Sequence, residues 1–208
     1  MSLENEPRWL PIAPWLFLFV WSAGYGVAKL ALESSTPLNL LALRFLGATV
    51  ALLPFVLIFR PTWPDKRAIR DLLIVATFLQ LGHFLCIYFG LALGASAGVL
   101  ALFAASQPVL IAIVASLVSH RIPPPRVWMG LVVGLLGASW VIFAQGHFSD
   151  GALLGAVLGF VAVVSLSLGQ VYDKSQRPEC HPLLVYVIQY AFASVVSVPI
   201  ALYFEGYQ

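Results

Sequence analysis

Long apolar stretches with almost no charge recur along this chain and occupy most of it. Seven are each long enough to cross about 30 Å of hydrocarbon as an α-helix. They lie near residues 12–32, 38–59, 71–93, 97–119, 127–145, 152–173 and 183–204. Prolines, which cannot continue a helix, fall in the short connections, as at Pro37, Pro61 and Pro123. We therefore predict an all-α integral membrane protein, a bundle of about seven transmembrane helices.

Composition narrows the partners that such a chain can have. Hydrophobic residues make up 61% of it and charged residues 10%, against about 45–50% and 25% in soluble domains. The excess apolar surface is expected to face the lipid bilayer. A net charge of +2 without a Lys/Arg run argues against a nucleic-acid partner. The sequence contains neither a phosphate-binding glycine loop nor a metal-ligand cluster, so we expect no cofactor and no metal.

The basic residues lie mostly on one side of the predicted helices. If the N-terminus is cytoplasmic, only Lys29 and Arg44 fall near or within the outer half of the membrane. The cytoplasmic side then receives Arg8, Arg60, Lys66, Arg67, Arg70, Arg121, Arg126, Lys174 and Arg177. By the positive-inside rule we predict a multi-pass protein of the inner (plasma) membrane with a cytoplasmic N-terminus.

The chain resembles itself when it is shifted by 145 positions. The matched pairs include Ser22/Ser167, Gly24/Gly169, Lys29/Lys174, Pro37/Pro182, Pro54/Pro199 and Phe59/Phe204. Because the second copy begins after five helices, its helices would cross the membrane in the opposite sense. Such inverted repeats build many secondary transporters, with the substrate between the halves.

The repeat predicts how the chain is organised. Residues 1–148 would form a first five-helix repeat, and residues 149–208 the first two helices of a second, incomplete one. We therefore expect the chain to be part of a ten-helix (5+5) protein, in which Gln208 is not the natural end. A natural chain that ended at Gln208 would lack one wall of the cavity, and transport would then require a homodimer.

The order and spacing of several motifs resemble the drug/metabolite transporter superfamily, EamA-type, over essentially the whole chain. The motifs are Trp21-Ser22-x-x-Tyr25-x-x-x-Lys29, Pro37 with Arg44, Ala92 to Gly98, Ala105-Ser106-Gln107-Pro108, and Gly130, Gly134 and Gly137. Ser119-His120-Arg121 departs from the pattern, because a Glu usually precedes the basic residue there. The resemblance implies export or exchange of small metabolites, amino acids or drugs by alternating access, without ATP and without an enzymatic activity.

Arg44 is the first candidate substrate-binding residue. It lies about two turns into an otherwise apolar helix, where a charge is costly unless it faces a cavity or a partner. It would anchor a carboxylate or phosphate of the substrate, or else snorkel or pair structurally. His83, midway along the third segment, could relay a proton or serve only in packing.

Two amides and two aromatic residues complete the predicted site. Gln80 and Gln107 could line a polar cavity or hydrogen-bond between helices. Trp21 and Tyr25 share one face of the first helix and could stack on a substrate or pack. The GxxxG steps predict close helix contacts and comprise Gly90/Gly94, Gly130/Gly134 and Gly151/Gly155/Gly159.

Two other functions remain open from the sequence. Gly94-Ala95-Ser96-Ala97-Gly98 matches the G-x-S-x-G elbow of hydrolases, so an intramembrane serine hydrolase using Ser96 is one alternative. A membrane scaffold that transports nothing is the other, and it predicts that Arg44→Ala alters helix packing alone.

Overall fold

The computed structural model describes residues 12–119, 124–144, 150–176 and 180–206, and in those ranges it contains helices and no strand. The helices are α1 (Ala13–Ala31), α2 (Pro37–Phe59), α3 (Lys66–Ala76), α4 (His83–Ala92), α5 (Ala97–Ala105), α6 (Gln107–Ser119), α7 (Pro125–Ala144), α8 (Asp150–Gln176) and α9 (Pro182–Phe204). A π-helical stretch, Thr77–Gly82, joins α3 directly to α4.

Several of these helices are long and apolar enough to cross a membrane. Within the described residues they are Pro37–Phe59, Lys66–Ala92, Gly151–Gln176 and Pro182–Phe204, and the bent pair α5 and α6 would add a fifth. The chain is therefore a multi-pass, all-helical integral membrane protein. Each of the seven predicted apolar segments coincides with helix, but seven and ten membrane crossings stay predictions.

The bend of 41° between α5 and α6 has a local cause. Pro108 lacks an N–H group and its ring clashes with the carbonyl four residues earlier, so a regular helix cannot continue through it. Ser106 ends α5, and its hydroxyl donates a hydrogen bond to the Phe103 carbonyl at 2.6 Å. The serine thus satisfies a carbonyl at the break, which allows the bend inside an apolar environment.

Helix α8 packs closely against α4 because both helices carry glycine at the contact. A Cβ on Gly90 would lie 2.9 Å from the Gly155 carbonyl oxygen, and one on Gly155 would lie 2.5 Å from the Gly90 oxygen. A Cβ on Gly151 would approach the Leu93 carbonyl to 2.7 Å. The predicted steps of Gly151, Gly155 and Gly159 therefore lie at real interfaces, whereas only Gly90 of the Gly90/Gly94 step does, because nothing lies within 4 Å of a Cβ built on Gly94. Nothing lies within 4 Å of a Cβ built on Gly130, and its predicted partner Gly134 lies outside the residues whose surroundings the structure describes.

Helices α2 and α9 pack against each other along their length and run antiparallel. At the start of α2, the backbone N–H of Asn39 donates to the Glu205 carboxylate at the end of α9 at 3.0 Å. At the other end, Val56 packs against the buried cluster that Leu184 and Ile188 of α9 form with Leu72. Between these contacts, the hydroxyls of Thr49 and Ser194 lie 3.2 Å apart.

Helix α3 is held to α8 by a hydrogen bond to the carboxylate of Asp71. Asp71 is 4% exposed and accepts hydrogen bonds from Arg70 at 2.9 Å and from the Tyr172 hydroxyl at 3.1 Å. This buried carboxylate is therefore paired rather than free to bind a ligand.

Candidate functional site

A cavity of about 510 Å³ lies between α1, α2 and α4. Its volume falls within the range of about 300–1,000 Å³ that is usual for small-molecule sites. Apolar side chains form most of the lining, including Phe19, Val20, Val27, Ala28, Leu40, Phe84 and Ile87. The polar or charged lining residues are Tyr25, Arg44, His83 and Tyr88.

Arg44 is the charged residue among those lining this cavity. Its guanidinium carbon lies 4.0 Å from the centroid of the Phe84 ring, a cation–π geometry that fixes one face of the group. Its Nη1 donates to the Tyr88 hydroxyl at 3.4 Å. The side chain is otherwise exposed to the cavity, so guanidinium N–H groups remain available to an acceptor on a ligand.

His83 is 3% exposed and is held by a contact across the helix interface. Its Nδ1 lies 3.0 Å from the Ala162 carbonyl oxygen of α8. A carbonyl only accepts, so Nδ1 carries the proton and donates it, and a neutral His83 has its lone pair on Nε2. The cavity is thus lined by a fixed cation and by a base.

The Tyr25 hydroxyl is buried and has no hydrogen-bond partner among the described residues. A buried hydroxyl without a partner costs about 1–3 kcal/mol. Because Tyr25 lines the same cavity as Arg44, an oxygen of a bound ligand is a natural acceptor for it.

Phe84 is the centre of an aromatic cluster that connects the cavity to α9. Its ring lies 4.9 Å from that of His83, 6.1 Å from that of Tyr88 and 6.1 Å from that of Phe45. Phe45 in turn lies 6.2 Å from Tyr190 of α9. The orientation of the Arg44 guanidinium therefore depends on packing that includes α9.

The structure brings three of the six predicted site residues to one cavity, namely Arg44, Tyr25 and His83. Gln80 lies outside its lining and is 6% exposed, and its Nε2 donates to the Gln189 Oε1 of α9 at 3.3 Å. Gln107 begins α6 and is also outside the described lining. Trp21 lies on α1, but the structure does not describe the surroundings of its side chain.

Among the cavity residues that the sequence interpretation missed, Phe84 and Tyr88 are the two that contact Arg44. They are four positions apart on α4, so their side chains lie one above the other on the same face. That spacing, next to His83, was the available signal. Only the tertiary structure places this face opposite Arg44.

The π-helical stretch determines which way His83 and Gln80 face. A π-helical turn contains about one residue more than an α-helical turn, so it rotates the side chains of the following helix about the helix axis. Such stretches are frequent at functional sites. Here α8 supports the stretch, because the Ser165 hydroxyl donates to the Phe78 carbonyl at 2.9 Å. As a result Gln80 contacts α9, while His83 lines the cavity.

Ser96 has a structural role at the start of α5. Its hydroxyl oxygen accepts a hydrogen bond from the Val99 N–H at 3.1 Å and caps the helix. The preceding Gly94 has φ +98°, which favours glycine in this turn. The cap and the turn give Ser96 and Gly94 structural roles in this motif.

Membrane helices around an apolar cavity that holds a charged group are the architecture of a membrane transporter. Residues 12–143 match the EamA-like transporter family. The match covers more than half of the chain, so the protein belongs to this family, and the predicted resemblance to EamA-type transporters is confirmed. Transporters of this kind are typically not enzymes.

Two curated relatives agree with this assignment. The chain is 26% identical over 165 residues to YedA of Escherichia coli K12, described as an uncharacterized inner membrane transporter, covering 78% of this chain and 53% of that protein. It is 26% identical over 161 residues to YdfC of Bacillus subtilis, described as an uncharacterized transporter, covering 76% and 51%. The chain thus spans about half the length of these relatives. No solved structure matches it significantly.

Proposed function

We propose that this protein is a secondary transporter that exports or exchanges small metabolites, amino acids or drugs by alternating access, and that the Arg44 cavity binds the substrate. The observation that carries the proposal is a fixed cation in an otherwise apolar cavity of substrate size. An arginine in this position is costly in a membrane protein unless a ligand or water-filled cavity uses it. Arg44, Tyr25 and His83 are the residues proposed to contact the substrate.

The inverted repeat is part of the same proposal. Antiparallel packing of α2 on α9 is what an inverted repeat requires of equivalent helices. The contact of Thr49 with Ser194 and that of Phe45 with Tyr190 each join residues 145 positions apart, as expected near a pseudo-two-fold axis. The matched stretches make up 53% and 51% of these relatives, whose greater length is compatible with ten helices in the whole protein.

The proposal includes an inner-membrane location and a cytoplasmic N-terminus. YedA is described as an inner membrane transporter, and the distribution of Lys and Arg favours a cytoplasmic N-terminus. The predicted boundary between repeats at residues 148 and 149 and the homodimer stay predictions. The hydrolase is the less favoured alternative because Ser96 caps α5.

Substitution of Arg44 tests the transport function. The natural full-length protein would be reconstituted in proteoliposomes and screened by counterflow with radiolabelled amino acids, organic acids and cationic drugs. For a transported solute we expect Arg44→Gln to reduce flux at least about tenfold, because charge-assisted hydrogen bonds are lost. Lys174→Gln, which removes an exposed cation outside the cavity, should leave flux unchanged.

The scaffold alternative makes the opposite prediction. Wild-type protein that moves no solute in the screen, or Arg44→Gln protein that folds and transports normally, would leave the cavity without a transport role. A comparison of the unfolding of the two variants in SDS separates loss of binding from loss of structure.

A further inference from the structure

Arg44 and His83 both lie against the ring of Phe84. The Arg44 guanidinium carbon is 4.0 Å from the Phe84 centroid, and the His83 ring centroid is 4.9 Å from it. Both residues line the same cavity. A proton on His83 would therefore place a second positive charge near the first, in surroundings that screen charge poorly.

We propose that Arg44 and His83 form a joint site for one organic monocarboxylate and one proton, so that the two ligands occupy the cavity together. The proposal rests on the transport function proposed above and specifies its substrate class. The carboxylate binds the free guanidinium N–H groups of Arg44 and accepts from the Tyr25 hydroxyl. The proton, taken from water, binds Nε2 of His83.

The coupling follows from Coulomb's law. In the empty cavity the charge of Arg44 opposes a proton on His83. A bound carboxylate neutralises Arg44 and attracts the imidazolium, so each ligand favours the other. This coupling is reciprocal by linkage. The anion and the proton together carry no net charge, so their joint binding leaves the net charge of the cavity at that of Arg44 alone.

Among the described residues that line the cavity with His83, Arg44 is the one that carries a permanent charge. Among the described residues, the titratable or charged groups of the cavity lining are Tyr25 of α1, Arg44 of α2 and Tyr88 of α4 itself. Helix α8 contributes the Ala162 carbonyl, and α5 has no titratable residue. Two further polar residues lie within three positions of His83 in the sequence. Gln80 of the π-helical stretch pairs with Gln189 of α9, and Cys86 belongs to α4.

The lining also predicts the shape of the ligand. Phe19, Val20, Leu40 and Ile87 offer apolar surface, and the described lining contains no carboxylate that could pair with an ammonium group. A monocarboxylate with an apolar body therefore fits better than a zwitterion or a cation with the same body. Three probes differ only in these charges: 3-phenylpropionate, phenylalanine and phenethylamine.

Calorimetry on the purified full-length protein in nanodiscs tests the proposal. Binding is measured rather than flux because the neutral form of an aromatic acid crosses lipid unaided. We expect 3-phenylpropionate to bind about tenfold or more tighter than phenylalanine, and phenethylamine not to bind. Titrations in phosphate and in Tris, which differ in ionisation enthalpy, should reveal net proton uptake approaching one per anion near neutral pH.

Two variants assign the proton to His83. His83→Asn keeps an N–H donor near the position of Nδ1, so the bond to Ala162 can persist, but it cannot be protonated in this pH range. We expect it to bind the anion with about tenfold lower affinity and without proton uptake. His83→Gln serves as a second variant of similar size if the asparagine variant does not fold. Arg44→Gln should abolish anion binding.

Each outcome bears on a different part of the proposal. Anion binding by wild-type protein without proton uptake would overturn the coupling, and unchanged uptake in a folded His83 variant would overturn the role of His83. Failure of 3-phenylpropionate to bind, while counterflow detects another solute, would reject the substrate class and leave the transport function intact. Absence of counterflow with every solute would reject the transport function itself.

Discussion

Two positions 145 residues apart, Arg44 on α2 and Gln189 on α9, face very different surroundings. Arg44 is exposed to the cavity and contacts Phe84 and Tyr88. Gln189 is 3% exposed and accepts a hydrogen bond from Gln80. The cavity side therefore has a charge with free donors, whereas the packed side has a neutral amide with a neighbour. Equivalent positions in the proposed repeats thus differ in their surroundings, because only Arg44 adjoins the cavity.

Placing arginine at position 189 and glutamine at position 44 should give the largest difference in the free energy of unfolding. Gln189→Arg would place an uncompensated charge in the packed interface of α9 with the π-helical stretch, and we expect a loss of about 3 kcal/mol or more in the free energy of unfolding. Arg44→Gln, which loses the contact with Phe84, should change it by about 1 kcal/mol or less. Unfolding in SDS, followed by tryptophan fluorescence, measures both. Equal stability of the two variants would mean that the packed side is not closed as described.

The glycine contact between α4 and α8 should give the next largest effect. In Gly155→Ala the new Cβ would lie 2.5 Å from the Gly90 carbonyl oxygen and 2.9 Å from the Ala95 Cβ. We expect about 1–3 kcal/mol of destabilisation from overpacking, measured by the same SDS unfolding. The matched control is Gly24→Ala on the cavity side, where nothing lies within 4 Å. A helical alanine there should be neutral or stabilising by up to about 1 kcal/mol.

Removal of the Phe84 ring, which packs against the Arg44 guanidinium, should have the smallest effect. We expect this effect on ligand binding in the cavity. Phe84→Leu eliminates the cation–π contact, which is worth about 0.5–2 kcal/mol. We expect a transported anion to bind about threefold to tenfold more weakly, since the guanidinium is no longer held in one orientation. Phe84→Tyr keeps the ring and should restore most of the affinity. A folded Phe84→Leu protein with unchanged affinity would show that Phe84 does not position Arg44.

The sequence predicted those features that depend only on residue type and on spacing along the chain. The apolar segments, the proline breaks and the glycine steps of α4 and α8 are read directly from residue type and spacing. Arg44 was identifiable because a charge in an apolar helix is an exception that needs a reason. The partners of these residues were not readable, since Phe84, Tyr88 and Ala162 come from other helices or from a face that the sequence leaves undefined.

Gln80 and His83 illustrate the limit most clearly. Both are polar residues in one apolar segment, three positions apart, and the sequence treats them as equal candidates for the cavity. The π-helical stretch and its contact with Ser165 of α8 send Gln80 to α9 and His83 to the cavity. A contact between residues so far apart along the chain leaves no periodic signal in either segment.

By itself, therefore, the sequence determined that the chain lies in a membrane as helices. Hydrocarbon offers no hydrogen bonds to the backbone, so an apolar stretch of sufficient length has few other structures available. The tertiary structure alone decided which polar residues share the cavity, because that depends on the rotation of each helix and on its neighbours. In lipid those rotations are set by close packing and interhelical hydrogen bonds, here the Gly90–Gly155 contact and the bond from His83 to Ala162.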